Sequence, residues 1–502
     1  MQTRPNLKSQ SQSSRDAARE SYTASRRDHW DEIAQWPDRR RIAGRYYHRR
    51  LATLYQFLVA PNQRVLEVGC SNGDLLASLR PGFGVGVDFS AAAVQRAATR
   101  HPELRFVQAD ALELGDIAGE DDDPFDVIIM SDLLNDVWDV QTVLEQLAPF
   151  VGPGTRIIIN SYSRIWEWPL AAAEKMGLAK PVLNQNWLTV EDIAGLLHLS
   201  GFQLMRAWQE VLLPLPVPLI APLANRVLVK LPFFRMFGLT NFIIAKPNPS
   251  LISEHKSVKA ESRKPTVSVL VPARNEAGNI ESIFERTPEM GGGTELVFVE
   301  GHSKDDTYET IERAIATHPE RRCKLMRQKG AGKGDAVRIG FAAASGDVLM
   351  ILDADLTVPP EDLPRFYDAL RSGKGEFING VRLVYPMEKH AMRLFNLFGN
   401  KFFSLVFSYL LGQPIKDTLC GTKVMWRHDY ERLAANRSYF GDFDPFGDFD
   451  LLFGAAKLNL AITEVPIRYR ERTYGETNIQ RWKHGLLLLR MCIFACGRIK
   501  FI

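Results

Sequence analysis

Val65-Leu66-Glu67-Val68-Gly69-Cys70-Ser71-Asn72-Gly73 reads as a buried strand that runs into a glycine turn and then a helix. Glycine at such a turn tolerates positive φ and lets the backbone approach a ligand. A helix is expected just before it, over residues 46–58, where apolar residues recur at helical spacing. Beyond it, Val/Ile-rich runs at 84–87, 105–107, 127–130, 156–160 and 241–245 alternate with helical stretches. The same rhythm restarts at Val267, with runs at 267–271, 295–300, 323–327, 348–352 and 377–380. Strand and helix alternating in this way mean a parallel sheet covered by helices.

The expected fold class is therefore α/β, as two Rossmann-like domains in series. At roughly 150 residues per domain, 502 residues suit two large domains or three ordinary ones, and the single restart of the rhythm points to two. The pattern expects a disordered polar tail at 1–28 and a first domain at 29–246. A linker rich in proline, serine and charge follows at 247–265, then a second domain at 266–478 and a basic apolar segment at 479–502. With 45% hydrophobic and 24% charged residues, the chain is neither mostly disordered nor collagen-like. Lys and Arg total 62 against 59 Asp and Glu, so no global charge field selects nucleic acid. Five scattered cysteines make neither a disulfide framework nor a zinc site, and suit reduced thiols. The first fourteen residues are polar and lack the apolar core of a signal sequence. The expected location is cytoplasmic.

In the first half, the acids fall at the carboxyl ends of successive strands, where α/β sheets bind ligands. Asp88 closes the second strand and can accept both hydroxyls of a ribose; Asp110 follows the third and can accept from an adenine amino group. This ordered set resembles class I S-adenosylmethionine-dependent methyltransferases over about residues 46–246. The resemblance implies that the turn of Glu67, Gly69 and Gly73 holds the methionine portion of S-adenosylmethionine, and that Asp88 and Asp110 bind the nucleoside. Ser71 stands where that family usually has a middle glycine. The methyl acceptor is not readable. The loop Ser131-Asp132-Leu133-Leu134-Asn135-Asp136 offers Asp132 and Asp136 either as bases for a hydroxyl acceptor or as caps of the following helix.

In the second half, Val267-Ser268-Val269-Leu270-Val271-Pro272-Ala273-Arg274-Asn275-Glu276 is a strand ending in a polar turn, and a second strand ends at Glu300-Gly301. The apolar strand Val348-Leu349-Met350-Ile351-Leu352 terminates in Asp353-Ala354-Asp355, with the basic glycine turn Lys329-Gly330-Ala331-Gly332-Lys333-Gly334 upstream. Two such carboxylates suit a hard divalent cation that neutralises a departing diphosphate. This half resembles family 2 glycosyltransferases of the GT-A fold, most closely the dolichyl-phosphate mannose and polyprenyl-phosphate glucose synthases. The resemblance implies contact with a nucleotide-diphosphate-sugar donor by Pro272, Asn275, Glu276, Glu300, Lys333, Gly334 and Asp353, and binding of Mg2+ or Mn2+ by Asp353 and Asp355. Asp417-Thr418-Leu419-Cys420-Gly421 and Asp448-Phe449-Asp450-Leu451-Leu452 match further stretches of those synthases. So does Arg472-Thr473-Tyr474-Gly475-Glu476-Thr477-Asn478, in which Arg472 is the expected phosphate clamp. Gly301 replaces a family aspartate, and Asn478 replaces a lysine. An acceptor lipid phosphate needs no base; a glycan hydroxyl does. For that role the candidates are Asp448 and Asp450, whose other reading is helix capping.

Two regions point to a surface. Residues 209–240, containing VLLPLPVPLIAPLANRVLVKLPFFRMFGLT, are apolar and proline-punctuated. They read equally as a buried lid or domain-packing surface and as an apolar acceptor site or membrane-facing insertion. The segment 479–502 carries five basic residues and no acid among its apolar runs, a composition suited to an anionic membrane face. The combined expectation is a bifunctional enzyme, peripheral at the inner membrane face, in cell-surface polysaccharide or glycolipid synthesis. Its rivals are a single-activity glycosyltransferase whose first half only binds a ligand or partner, a nucleotidyltransferase, and a scaffold.

Overall fold

The computed structural model describes residues 7–35, 44–115, 117, 123–176, 183–255, 264–382, 394–436, 447–468, 470, 472, 474 and 481–501. The chain forms two compact units, Met1–Ser257 and Val258–Ile502.

The N-terminal unit is built on strands β1 (Arg64–Val68), β2 (Phe83–Asp88), β3 (Arg105–Gln108), β4 (Val127–Ser131), β5 (Arg156–Tyr162), β6 (Phe202–Glu210) and β7 (Thr240–Pro247). Their order is β3-β2-β1-β4-β5-β7-β6. β1 to β5 are parallel, and β7 runs antiparallel between β5 and β6. Strands this apolar are buried on both faces, as parallel sheets require; Val65, Leu66, Ile128, Ile129, Ile158 and Ile159 are fully buried. Helix α1 spans Leu7–Gln35 and α2 spans Arg45–Leu58. α2 buries Tyr47, Leu51, Leu54, Tyr55 and Leu58 along one stripe.

The second unit repeats the plan with different loops. Its strands are β8 (Val267–Ala273), β9 (Thr294–Glu300), β10 (Arg322–Arg327), β11 (Val348–Ile351), β12 (Phe377–Val381), β13 (Lys423–Trp426) and β14 (Ile462–Pro466). Their order is β10-β9-β8-β11-β13-β12-β14, with β13 antiparallel to both neighbours. In each sheet the order reverses beside the first strand, at β1/β4 and at β8/β11. A crevice opens at the carboxyl end of such a reversal, and the glycine turn and the Asp-x-Asp motif lie there.

Several expectations need correcting. Residues 7–35, most of which fall in the expected tail, are helical. This helix has no broad apolar stripe because polar contacts hold it: Arg26 and Trp30 donate to Asp136, and Asp31 accepts from Ser90 and from the Ala92 amide. The expected linker contains the helix Pro249–His255, whose Leu251 is buried. β6, β13 and β14 were not expected, since their polar and charged residues mask any apolar run. The proline-rich stretch forms only short helices, Ile220–Arg226 and Pro232–Arg235, with a turn at Leu228–Lys230. Near the C-terminus, Arg481–Ala495 is helical. Among the described residues, no helix is long and apolar enough to cross a membrane.

Candidate functional site

In the N-terminal unit the glycine turn follows β1. Gly73 has φ 73°, and a Cβ there would meet the Phe106 ring at 2.5 Å, so both conformation and space demand glycine. The turn borders a cavity of about 920 Å3 that is also lined by Glu67, Gly69, Asp88 and Asp110. The structure thus brings the five expected cofactor residues to one place, with Gly73 shaping the turn.

Their environments differ. Asp88 is buried, and its two oxygens accept from the amides of Ser71 and Ser90 at 2.8 and 2.9 Å. Burial pushes its carboxyl up to about 6 despite those amides. Asp110 is half-buried and accepts from the Leu112 amide at 2.9 Å. Glu67 accepts from the Leu76 amide at 3.1 Å, in the short helix after the turn, and so braces the turn from beneath. Burial lifts Glu67 to about 8, with Asp88 and Asp74 adding to the rise against the Leu76 amide.

A pH effect on stability follows. A carboxyl whose native pKa is raised binds its proton more tightly folded than unfolded. Its contribution is therefore full below the ordinary carboxylate range and is lost as pH rises through about 8. Between about pH 6.5 and 9 the loss is about 2 kcal/mol, at about 1.4 kcal/mol per pH unit up to the native value. Asp88 titrates below that window. Glu67→Gln keeps the acceptor and removes the titration. Thermal melts should show the wild-type Tm falling about 4 °C further than the variant's across this window. Parallel melting curves at both pH values would refute the assignment.

Sequence reading named Asp132 but missed the side chains that hold it at the cavity. Asp132, after β4 with φ 55°, accepts from the Tyr47 hydroxyl at 3.0 Å and from Asn160 Nδ2 at 2.6 Å. Asn160 in turn accepts from Tyr55 at 2.7 Å. Asp136 is bound by Arg26 and Trp30 of α1, and Asp139 caps the next helix. Both acids offered as bases line the cavity, Asp132 beside the Tyr47 hydroxyl and Asp136 in its contact with Arg26 and Trp30 of α1.

In the second unit, the turn after β8 and the loop after β11 meet through one arginine. Arg472 donates to Glu276 Oε1 at 3.1 Å and to Asp355 Oδ2 at 2.6 Å. Thr357 donates to Asp355 Oδ1 at 2.8 Å. Burial raises Glu276 to about 7, Arg472 opposes the rise and Asp355 adds to it. Lys333 lies 2.6 Å from Asp353 Oδ1. Burial works to raise Asp353, but Lys333 overrides it and holds the carboxyl below its ordinary value. Cations and carboxylates therefore alternate around the Asp-x-Asp motif.

Other expected residues frame that core. Asn275 accepts from the Lys304 amide at 2.7 Å, and buried Glu300 accepts from the Ser303 amide, so both shape the loop after β9. Pro272 and Glu300 stand at the ends of paired strands β8 and β9. Gly334 is buried at the start of the helix Lys333–Ala343, and a Cβ on Gly447 would press on its Cα. This contact sets the helix Asp448–Lys457, with buried Asp450 in its first turn, against the lysine turn. The Asp448 side chain and residues 473 and 475–478 of the late motif lie outside the described residues.

Asp417 is a positioning residue. Arg382 grips both its oxygens at 2.7 and 2.8 Å, and Asn400 adds a third side-chain bond at 2.9 Å. Burial would raise its carboxyl, but Arg382 holds it far below the carboxylate range. This pin fixes the loop that lays Gly421 against Asp353 and Lys333, with no room for a Cβ. Arg382 has no motif spacing to mark it.

The donor set suits Mg2+ or Mn2+. Among the described residues no three His, Cys, Asp or Glu side chains converge. A cation shared between one or two carboxylates and substrate phosphates does not need a third.

Comparison with known proteins agrees with both halves. Residues 43–207 match the family model of a methyltransferase domain, and residues 268–433 match glycosyl transferase family 2. A dolichol-phosphate mannosyltransferase of Pyrococcus furiosus is 38% identical over 109 residues, 21% of this chain and 30% of that protein. A dolichyl-phosphate hexose transferase of Haloferax volcanii is 29% identical over 234 residues, 46% of this chain and 93% of the relative. An undecaprenyl-phosphate 4-deoxy-4-formamido-L-arabinose transferase of Edwardsiella ictaluri is 32% identical over 44% of this chain and 64% of its own length. Among solved structures, glucosyl-3-phosphoglycerate synthase from Mycobacterium tuberculosis with Mn2+, UDP and glucosyl-3-phosphoglycerate aligns at TM-score 0.35 and 21% identity, covering 47% of this chain and 80% of that one. A SAM-dependent methyltransferase from Thermotoga maritima aligns at TM-score 0.30 and 17% identity, over 41% and 96%. The chain carries a methyltransferase domain followed by a glycosyl transferase family 2 domain. It is an enzyme, and the relatives of its second half include polyprenyl-phosphate sugar transferases.

Proposed function

We propose that the second half transfers a sugar, with inversion, from a nucleotide-diphosphate-sugar to a lipid phosphate, and that the first half transfers a methyl group from S-adenosylmethionine. Both reactions then serve one glycolipid or surface-polysaccharide route at the cytoplasmic membrane face. The observation that carries the sugar-transfer reading is the alternation of Lys333, Asp353, Asp355, Arg472 and Glu276. Such a site binds a diphosphate and its cation together, through carboxylates for the metal and a guanidinium and an ammonium for phosphate oxygens.

A divalent cation held by Asp353 and Asp355 would neutralise charge on the departing diphosphate. Arg472 can clamp a phosphate without protonation chemistry, since guanidinium stays charged. Lys333 reaches the same edge from a helix N-terminus, which favours anions. A lipid phosphate is already ionised and needs no base. A hydroxyl acceptor would instead need Asp448 or Asp450.

The test is transfer from a panel of radiolabelled nucleotide sugars to membrane extract, with Mg2+ or Mn2+ and then with chelator. Metal-dependent label in the lipid fraction is expected from one donor. Label only in soluble glycan would move the acceptor away from lipid phosphate, and no transfer from any donor would overturn the reading.

A further inference from the structure

One wall of the N-terminal cavity is apolar and is not used by the cofactor reading. Leu213, Pro214, Leu215 and Leu239 line it from the proline-rich stretch, with Trp166 and Leu170 beside them. From this wall the stretch continues outward as its short helices. Inner residues Val211, Ala221, Val229 and Leu239 are buried. Its outer residues protrude: Leu219 is 86% exposed and Phe233 67%, and Ile220, Leu223 and Met236 are also exposed. Trp168, on the helix Glu167–Lys175 that lines the same cavity, is 83% exposed.

The stretch is pinned to the sheet. Asn225 accepts from the amides of Leu212 and Leu213 at 2.8 and 2.9 Å and donates to the Leu213 carbonyl at 2.7 Å. Lys230 pairs with buried Glu210 from β6, and Arg235 donates to Gln209 and to the Ala207 carbonyl. Trp166 donates to the Phe237 carbonyl at 2.9 Å. A held backbone thus presents large apolar side chains to solvent, which a soluble surface rarely does over so many neighbours.

We propose that this insert docks the N-terminal unit onto a lipid bilayer bearing anionic headgroups, setting the cavity beside the lipid surface so that the methyl acceptor is lipid-borne. The charge pattern selects the occupant. Residues 211–240 contain no acid; Lys230 is buried against Glu210, which leaves exposed Arg226 and half-buried Arg235. The neighbouring segment adds exposed Arg164 and Lys175 beside half-buried Glu167 and Glu174. Tryptophan, phenylalanine and leucine flanked by arginine and lysine suit the headgroup boundary of an anionic leaflet. Two copies face to face would oppose like charges. The prolines keep every helix too short to span, so the insert lies in the interface. Only the clause on the methyl acceptor rests on the methyltransferase activity proposed above.

The experiment is flotation of the full chain with vesicles of phosphatidylcholine alone or with added phosphatidylglycerol. The wild type is compared with a Leu219→Glu/Phe233→Glu variant. Both replaced side chains are exposed, so melting temperature and calorimetric S-adenosylmethionine binding should stay unchanged. Partition onto the anionic vesicles should fall at least ~10-fold in the variant and weaken with salt. A second measurement leaves the insert intact: brominated lipid should quench wild-type tryptophan fluorescence, and Trp168→Tyr should remove most of that quenching. Equal flotation of wild type and variant, or quenching that survives Trp168→Tyr, would overturn the docking surface. So would loss of an oligomer in the variant without any vesicle binding by the wild type, which would assign the face to a second copy. Docking by a chain that binds no S-adenosylmethionine would uphold the surface and remove the methyl-acceptor clause.

Discussion

Replacing Asp355 with alanine is expected to lower metal-dependent sugar transfer by ~10^3-fold or more while leaving the fold intact, because two effects fall on one residue. The first is loss of one of two carboxylates available to the cation. The second is a loosened Arg472, which spans Asp355 and Glu276 and would lose its bond to Asp355. A clamp free to swing loses the alignment that makes transfer fast, and small misplacements near a reacting centre lower rates by ~10^2-fold. Asp355→Asn separates the contributions: the amide can still accept from Thr357 but supplies no charge. If the cation is the larger effect, the asparagine variant should be nearly as slow as alanine, and excess Mn2+ should recover part of its activity. If the clamp is the larger effect, Arg472→Lys should be comparably slow with an unchanged metal requirement. Transfer by Asp355→Ala within ~10-fold of wild type, at the same metal half-saturation, would contradict this site.

What could be read from sequence was whatever one stretch of chain carries by itself. A buried strand with acids at its end is contiguous, so Asp88, Asp353, Asp355 and the glycine turn could be placed before any fold was known. Partners from distant segments could not. Arg472 and Glu276 are 196 positions apart, Arg26 and Asp136 are 110 apart, and Tyr47 and Asp132 are 85 apart. No spacing rule links such pairs; only the sheet order brings them together. The same cause hid α1, whose binding face is made of Arg26, Trp30 and Asp31 instead of an aliphatic stripe. It also hid β13, where Lys423 is wholly buried because its ammonium meets the Cys420 carbonyl. The proline-rich stretch is the converse case. Its composition left burial and exposure equally open, and the buried Asn225 and Lys230 determine which side faces in.

The second large effect concerns the other half. In calorimetric titration, Asp88→Ala should weaken S-adenosylmethionine binding by at least ~10^2-fold, on the following grounds. A carboxylate accepting two ribose hydroxyls makes two charge-assisted hydrogen bonds, each worth about 1.5–3 kcal/mol, and about 1.4 kcal/mol is tenfold in affinity. The lost amide contacts to Ser71 and Ser90 add to this, since they hold the glycine turn in register with Asp88. A pH profile separates direct contact from support. Burial lifts Asp88 to about 6 in the free protein. Only the ionised form accepts from both hydroxyls, so wild-type affinity should be flat above about pH 7 and fall by up to ~10-fold per unit below pH 6. Asp88→Asn keeps a side chain that can accept one amide but has nothing to titrate. It should bind weakly at every pH and lose the acid limb. If Asp88 served only to brace the turn, the asparagine variant would bind nearly as well as wild type. If the cavity took another ligand, wild type itself would show no heat with S-adenosylmethionine at any pH, and the first half would then be a binding module attached to a glycosyl transferase.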